Sequence, residues 1–120
     1  YRVGSGGAGK FRGGDGLVRE IELLTAAQVT ILSDRRRTPP WGLAGGRPAA
    51  PGRNSVVRAA GGVEELPGKC NFAVQAGDIV RIETPGGGGW GTPRRRRARM
   101  KTRLQSAFQP VHPYPSLRKP

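Results

Sequence analysis

The 120-residue chain contains one cysteine, Cys70, and one histidine, His112. A single cysteine excludes an intrachain disulfide and fits a cytoplasmic setting. One Cys and one His cannot build a Cys/His zinc site, so no metal site is expected from these residues. No apolar run approaches the ~20 residues of a membrane-spanning helix, which points away from membrane partners. Aromatic anchors are few, with 3 Phe, 2 Tyr and 2 Trp, and apolar residues make up only 35%. A chain of this size has room for one small domain with a thin core. Tyr1 opens directly into a Gly-rich loop with no signal-peptide pattern. The absence of an initiator Met fits a piece of a longer chain.

Acid is also missing from one end. All 8 acidic residues precede Gly91, and residues 1–92 carry 12 of the 21 Lys and Arg, a net of +4. Residues 93–120 carry the other 9 and no acid, a net of +9. The body is therefore mildly basic, and the total of +13 belongs mostly to a short tail. Arg94–Arg97, Arg99, Lys101 and Arg103 have the charge to hold nucleic acid, but no aromatic side chains are interleaved to stack on bases. Residues 92–120 are read as a disordered, basic, Pro-containing tail. The competing reading is a small basic protein acting on nucleic acid through this tail; deleting the tail should then abolish a salt-sensitive gel shift.

What is abundant is glycine and proline, 20 and 11 residues. Between Gly/Pro stretches lie short runs with strand character. Leu17–Leu24 alternates Val18, Glu20 and Glu22 with Leu17, Arg19, Ile21 and Leu23, which predicts a half-buried strand. Gln28–Ser33 is β-branched-rich, and its short spacer from the first run predicts a hairpin between the two. Ser55–Ala59 reads as a third strand with Gly61-Gly62 as its turn, and Cys70–Val74 and Ile79–Glu83 bracket the turn signal Gln75–Asp78. Pro39 and Pro40 exclude regular ladder pairing in the long stretch from Asp34 to Asn54. The expected fold is mainly β: about five short strands with long Gly/Pro loops, part of a larger barrel- or sandwich-like domain.

Gly4–Lys10, GSGGAGK, matches both G-x-G-x-x-G and most of G-x-x-x-x-G-K. Phe11 stands where a phosphate loop has Ser or Thr, and Phe-Arg-Gly-Gly-Asp-Gly cannot open a helix. A structural or substrate-proximal loop is therefore expected. Arg12, Asp15 and Arg19 follow it; they suit an anionic substrate, or an internal Arg–Asp pair that pins the loop. Arg35 and Arg36, in the run Asp34–Arg37 ahead of Pro39-Pro40-Trp41, suit anion binding or a subunit contact, or a solvated basic loop. Gly86, Gly87, Gly88 and Gly89 precede Trp90-Gly91. Such a run suits close backbone approach or unusual dihedral angles, an anion nest of successive amides, or a flexible hinge.

Taken in order, GSGGAGKFRGGDGLVREIE, SDRRRTPPWGLAGG, APGRN and GDIVRIETPGGGGWG resemble the carboxy-terminal region of hydantoinase B/oxoprolinase proteins, over roughly Tyr1–Gly91. The resemblance implies a parent enzyme that couples ATP hydrolysis to opening a small cyclic amide such as 5-oxoproline or a hydantoin. It implies a hydantoinase A-type partner polypeptide or domain that phosphorylates a carbonyl oxygen, and an oligomeric parent. ATP and a divalent metal are implied for that parent, and no cofactor for this piece, which alone is expected to be inactive. Acetone and acetophenone carboxylases share these strings. The family's metal-binding His/Asp residues are expected upstream, because residues 1–91 contain no His. Residues 92–120 match nothing in the family pattern and look like out-of-frame translation of GC-rich coding sequence; an uninterrupted parental frame encoding the same tail would refute this.

Overall fold

The structure is a computed structural model that describes residues 1–94. The predicted tail therefore lies outside the described residues beyond Arg94. Six strands run in the order β1 (Val18–Glu22), β2 (Ala27–Leu32), β3 (Arg53–Val57), β4 (Val63–Leu66), β5 (Lys69–Val74) and β6 (Ile79–Glu83). Among the described residues there is no helix and no closed barrel, so the mainly β expectation holds in its sandwich-like form.

The strands form two antiparallel sheets. One has the order β1-β6-β3-β4, and the other pairs β2 with β5. The core lies between them. Val56 of β3 and Val80 of β6 face Ile31 of β2 and Val74 of β5, with Leu23, Val29, Leu66, Cys70, Phe72 and Ile82 packed around them. Period-2 alternation is plain in β5, where Cys70, Phe72 and Val74 turn inward and Lys69, Asn71 and Ala73 outward.

Three sequence expectations need correction. β1 and β2 do not form a hairpin, because β1 pairs with β6 and β2 crosses to β5 in the other sheet. The spacer carried no sequence preference strong enough to outweigh burial of Val29 and Ile31 against β3 and β6. Nor is β1 half-buried: all five of its residues are exposed, Ile21 included at 43%. It is an edge strand, and the two-stranded sheet does not extend over it. Finally, β4 adds a sixth strand; Val63–Leu66 has only four residues, two of them Glu, and pairs with β3 across the Gly61-Gly62 turn.

Register places Val18, Glu83 and Arg53 side by side at one end of the larger sheet. The chain before β1, after β6 and before β3 therefore leaves from the same end. These three exits are the Gly/Pro-rich stretches, and they come together there.

Candidate functional site

Beyond that end the three stretches form a bundle of extended backbone tied by backbone hydrogen bonds. Gly7 donates to the Gly87 carbonyl at 2.8 Å and Gly87 to Gly14 at 2.8 Å; Gly89 donates to Arg47 at 3.0 Å and Leu43 to Gly89 at 2.9 Å. Phe11 and Trp90 exchange two bonds at 2.9 Å. Gly86–Gly89 runs between the other stretches, and none of the four has a positive φ. Close approach is what requires glycine here. A methyl group on Gly88 would lie inside contact distance of the Trp41 carbonyl, and one on Gly13 inside that of Gly87. Side chains would pry the backbones apart and break the ladder.

The amides of Gly86, Gly87 and Gly89 each donate to a backbone carbonyl, of Ala50, Gly14 and Arg47 respectively. The run acts as the central strut of the bundle. In the Gly4–Lys10 loop the Gly7 amide is likewise engaged, the Lys10 amide donates to Gly91, and the chain continues as extended backbone into the Phe11–Trp90 bridge.

Arg12 and Asp15 do meet. The Asp15 carboxylate accepts from the Gly6 amide at 3.0 Å and from the Arg12 guanidinium at 2.8 Å. The Gly6 amide, helped by Arg12 and opposed by lost hydration, holds this carboxyl below the usual carboxylate range. The hydroxyl of buried Ser5 accepts from the Gly16 amide at 2.8 Å. Together they pin the loop where glycines provide no side-chain contacts. Arg19 lies elsewhere, exposed on β1 opposite Ile82.

Arg35 and Arg36 reach a different place. Both line an open cleft of about 460 Å³ between Ser33–Thr38 and Pro67–Lys69. Arg36 donates twice to the carbonyl oxygen of the buried Asn54 side chain, at 3.0 and 3.1 Å, and once to the Asp34 carbonyl at 2.6 Å. Burial, and then the nearby charge of Arg2, lower its pKa from the ordinary arginine value, and it remains a cation. Arg35 has a left-handed backbone, φ 58°, and its guanidinium stacks over the Trp41 ring at 4.4 Å. Arg37 and Lys69 complete the basic lining. The cleft adjoins the bundle through Trp41, whose carbonyl abuts Gly88.

The most connected ionic group was not anticipated. Asp78, 2% exposed, accepts from the amides of Gln75 and Ala59 and from Arg58, each at 2.8–2.9 Å. Arg58 also bonds Glu64 at 3.0 Å and the Ala73 carbonyl at 2.9 Å. The backbone amides and then Arg58 hold the Asp78 carboxyl below the usual range. This knot closes the sheet end opposite the bundle and joins both sheets. The turn signal Gln75–Asp78 located it; its partners Arg58 and Ala59 are distant in sequence.

Among the described residues, no three His, Cys, Asp or Glu side chains come together to hold a metal ion. No helix among them is long and apolar enough to cross a membrane.

The family model for hydantoinase B/oxoprolinase matches residues 1–93. The chain is 47% identical over 90 residues to 5-oxoprolinase of Dictyostelium discoideum, covering 75% of this chain and 7% of that protein. It is 47% identical over 91 residues to 5-oxoprolinase 1 of Arabidopsis thaliana, covering 76% and 7%. Against 5-oxoprolinase of Saccharomyces cerevisiae it is 44% identical over 91 residues, covering 75% and 7%. The chain thus spans only a small part of the length of these relatives. No solved structure matches it.

Proposed function

The chain belongs to the hydantoinase B/oxoprolinase family, and on that footing we propose that it forms part of an ATP-dependent enzyme that opens a cyclic amide. The observation that carries the reading is the agreement with three 5-oxoprolinases across the whole described body, bundle and sandwich together. A ring amide is a poor electrophile because nitrogen donates into its carbonyl. Transferring a phosphoryl group from ATP to the carbonyl oxygen, in an A-type partner, makes the ring carbon electrophilic. Water adds to it, the C–N bond breaks with the nitrogen leaving as a protonated amine, and a second water hydrolyses the resulting acyl phosphate to carboxylate and phosphate. The B-type polypeptide acts on this activated species. The described residues do not fit a metal, so no step is assigned to one here.

Within that enzyme, this chain provides a rigid piece of the B-type polypeptide. The glycine bundle fixes the loop carrying Arg12 and Asp15 and presents the Arg35–Arg36 cleft beside it, the two places where an anionic substrate or intermediate would be held. Alone, the chain is inactive and requires the rest of the B-type polypeptide and its partner.

A chimera tests this. Residues 1–93 of this chain replace the matching stretch of the Dictyostelium 5-oxoprolinase, and ATP-dependent release of glutamate from 5-oxoproline is measured. Turnover within about tenfold of the parent is expected, about 1.4 kcal/mol at most. A soluble, assembled chimera without turnover would count against the reading. So would ring opening by the 120-residue chain alone, which would contradict its dependence on a larger polypeptide.

A further inference from the structure

We propose that the cleft between Ser33–Thr38 and Pro67–Lys69 binds a dianionic phosphate group. Four cations, Arg35, Arg36, Arg37 and Lys69, line it, against the single carboxylate of Asp34. Among the described residues, Arg35, Arg37 and Lys69 have no carboxylate within 4.0 Å, whereas Arg2, Arg12, Arg53, Arg58 and Arg81 are all paired. Five of the ten arginines in residues 1–92 are thus paired with a carboxylate. Lys10, Arg19 and Arg47 also lack one but do not line this cleft, which alone gathers several such cations in one concavity among the described residues.

The cleft is also held in place. Asn54, itself fully buried, fixes Arg36 with two bonds and donates to the Ser33 hydroxyl at 2.9 Å. That hydroxyl donates to the Gly68 carbonyl at 2.8 Å, tying the two walls together. Arg35 keeps a left-handed backbone while stacked on Trp41, a costly conformation that persists only when its surroundings fix it. A phosphate dianion matches this lining better than a monocarboxylate does: it brings nearly two charges and three strong acceptor oxygens, suited to guanidinium forks and an ammonium. A cleft of about 460 Å³ leaves room for an organic group on the phosphate.

The proposal rests on the reading of this cleft as an anion site and names its ligand class; its failure is distinguishable from failure of the ring-opening reading, because binding is measured without turnover. The full 120-residue chain is titrated calorimetrically at fixed ionic strength with inorganic phosphate and, in a second arm, with methyl phosphate. Arg37→Gln with Lys69→Gln, both exposed side chains, should weaken binding at least about tenfold, since two cations that make charge-assisted contacts are removed. Arg96→Gln with Arg97→Gln, in the carboxy-terminal basic run, should change it less than about twofold. Lys69→Gln alone gives a smaller loss in the same direction, and serves if the double variant is poorly soluble. Tighter binding of methyl phosphate assigns the cleft to phosphate esters, and tighter inorganic phosphate to the free anion; both support the proposal. It is overturned by no saturable binding up to roughly 10 mM, by binding indifferent to the cleft variants, or by binding lost only with the Arg96 and Arg97 pair.

Discussion

The two halves of this molecule are held together by opposite means. In the sandwich, Val56, Val74, Val80 and Ile31 exclude water by side-chain contact, and the backbone spacing follows from their bulk. In the bundle there is almost no side chain to pack. Backbone meets backbone directly, and cohesion comes from hydrogen bonds such as Gly7 to Gly87 and Gly89 to Arg47. Glycine serves two different ends in this chain. At Gly61 and Gly62 it serves a turn with positive φ; at Gly13 and Gly88 it serves as the absence of an obstacle.

Substitutions can break this contrast, beginning where the effect is largest. Gly88→Ala or Gly13→Ala should destabilise the chain by about 3 kcal/mol or more, since the new methyl meets a carbonyl that cannot move alone. Gly14→Ala, where a methyl meets nothing within 4 Å, should stay within about 0.5 kcal/mol. Denaturant unfolding measures both, and equal effects at Gly13 and Gly14 would remove the distinction. Val56→Ala, in the sandwich, should cost about 2 kcal/mol through a cavity at a fully buried site.

Asp78 sharpens the comparison through pH. Its carboxyl is held below its ordinary value by the Gln75 and Ala59 amides and by Arg58. The stability it contributes is therefore present above the unfolded-state pKa of about 3.9 and is lost as pH falls through the lower folded value. Melting temperatures followed from pH 7 to pH 2 should drop below about pH 4, and less steeply in Asp78→Asn. The residual slope belongs in part to Asp15, whose carboxyl is lowered in the same direction in the bundle. An identical slope in wild type and Asp78→Asn would contradict this.

The smallest effect is expected on the outer face of the larger sheet. Glu20 on β1 bonds Arg81 on β6 at 2.6 Å, and both side chains are substantially exposed. A double-mutant cycle to Ala should give a coupling of about 0.5 kcal/mol that fades with salt. A coupling above about 2 kcal/mol would mean that β1 is not the exposed edge described.

The strands were legible where alternation was clean, as in Cys70–Val74 and Ile79–Glu83. Pairing was not. β1 finds β6 across more than fifty intervening residues, and nothing local to Val18–Glu22 names that partner. β4 was missed because Val63–Leu66 is short and half acidic, so its identity depends on β3 beside it. At the site, the Arg12–Asp15 pair was legible because its members are three residues apart and chemically complementary. The link from Arg36 to Asn54 was not, since it joins a loop to a strand eighteen residues away. The bundle was legible only as an excess of glycine. Backbone-to-backbone packing leaves no periodicity, so one composition served equally for strut, nest and hinge.

Amide hydrogen exchange, resolved residue by residue, decides between strut and hinge. A strut, whose Gly7, Gly13, Gly87 and Gly89 amides each donate to a backbone carbonyl, predicts that these amides exchange as slowly as those of Val56 and Val80, both regions opening together with the whole fold. Exchange of these four glycines at the rate of free peptide, with Val56 and Val80 still protected, would show a flexible linker and contradict the account.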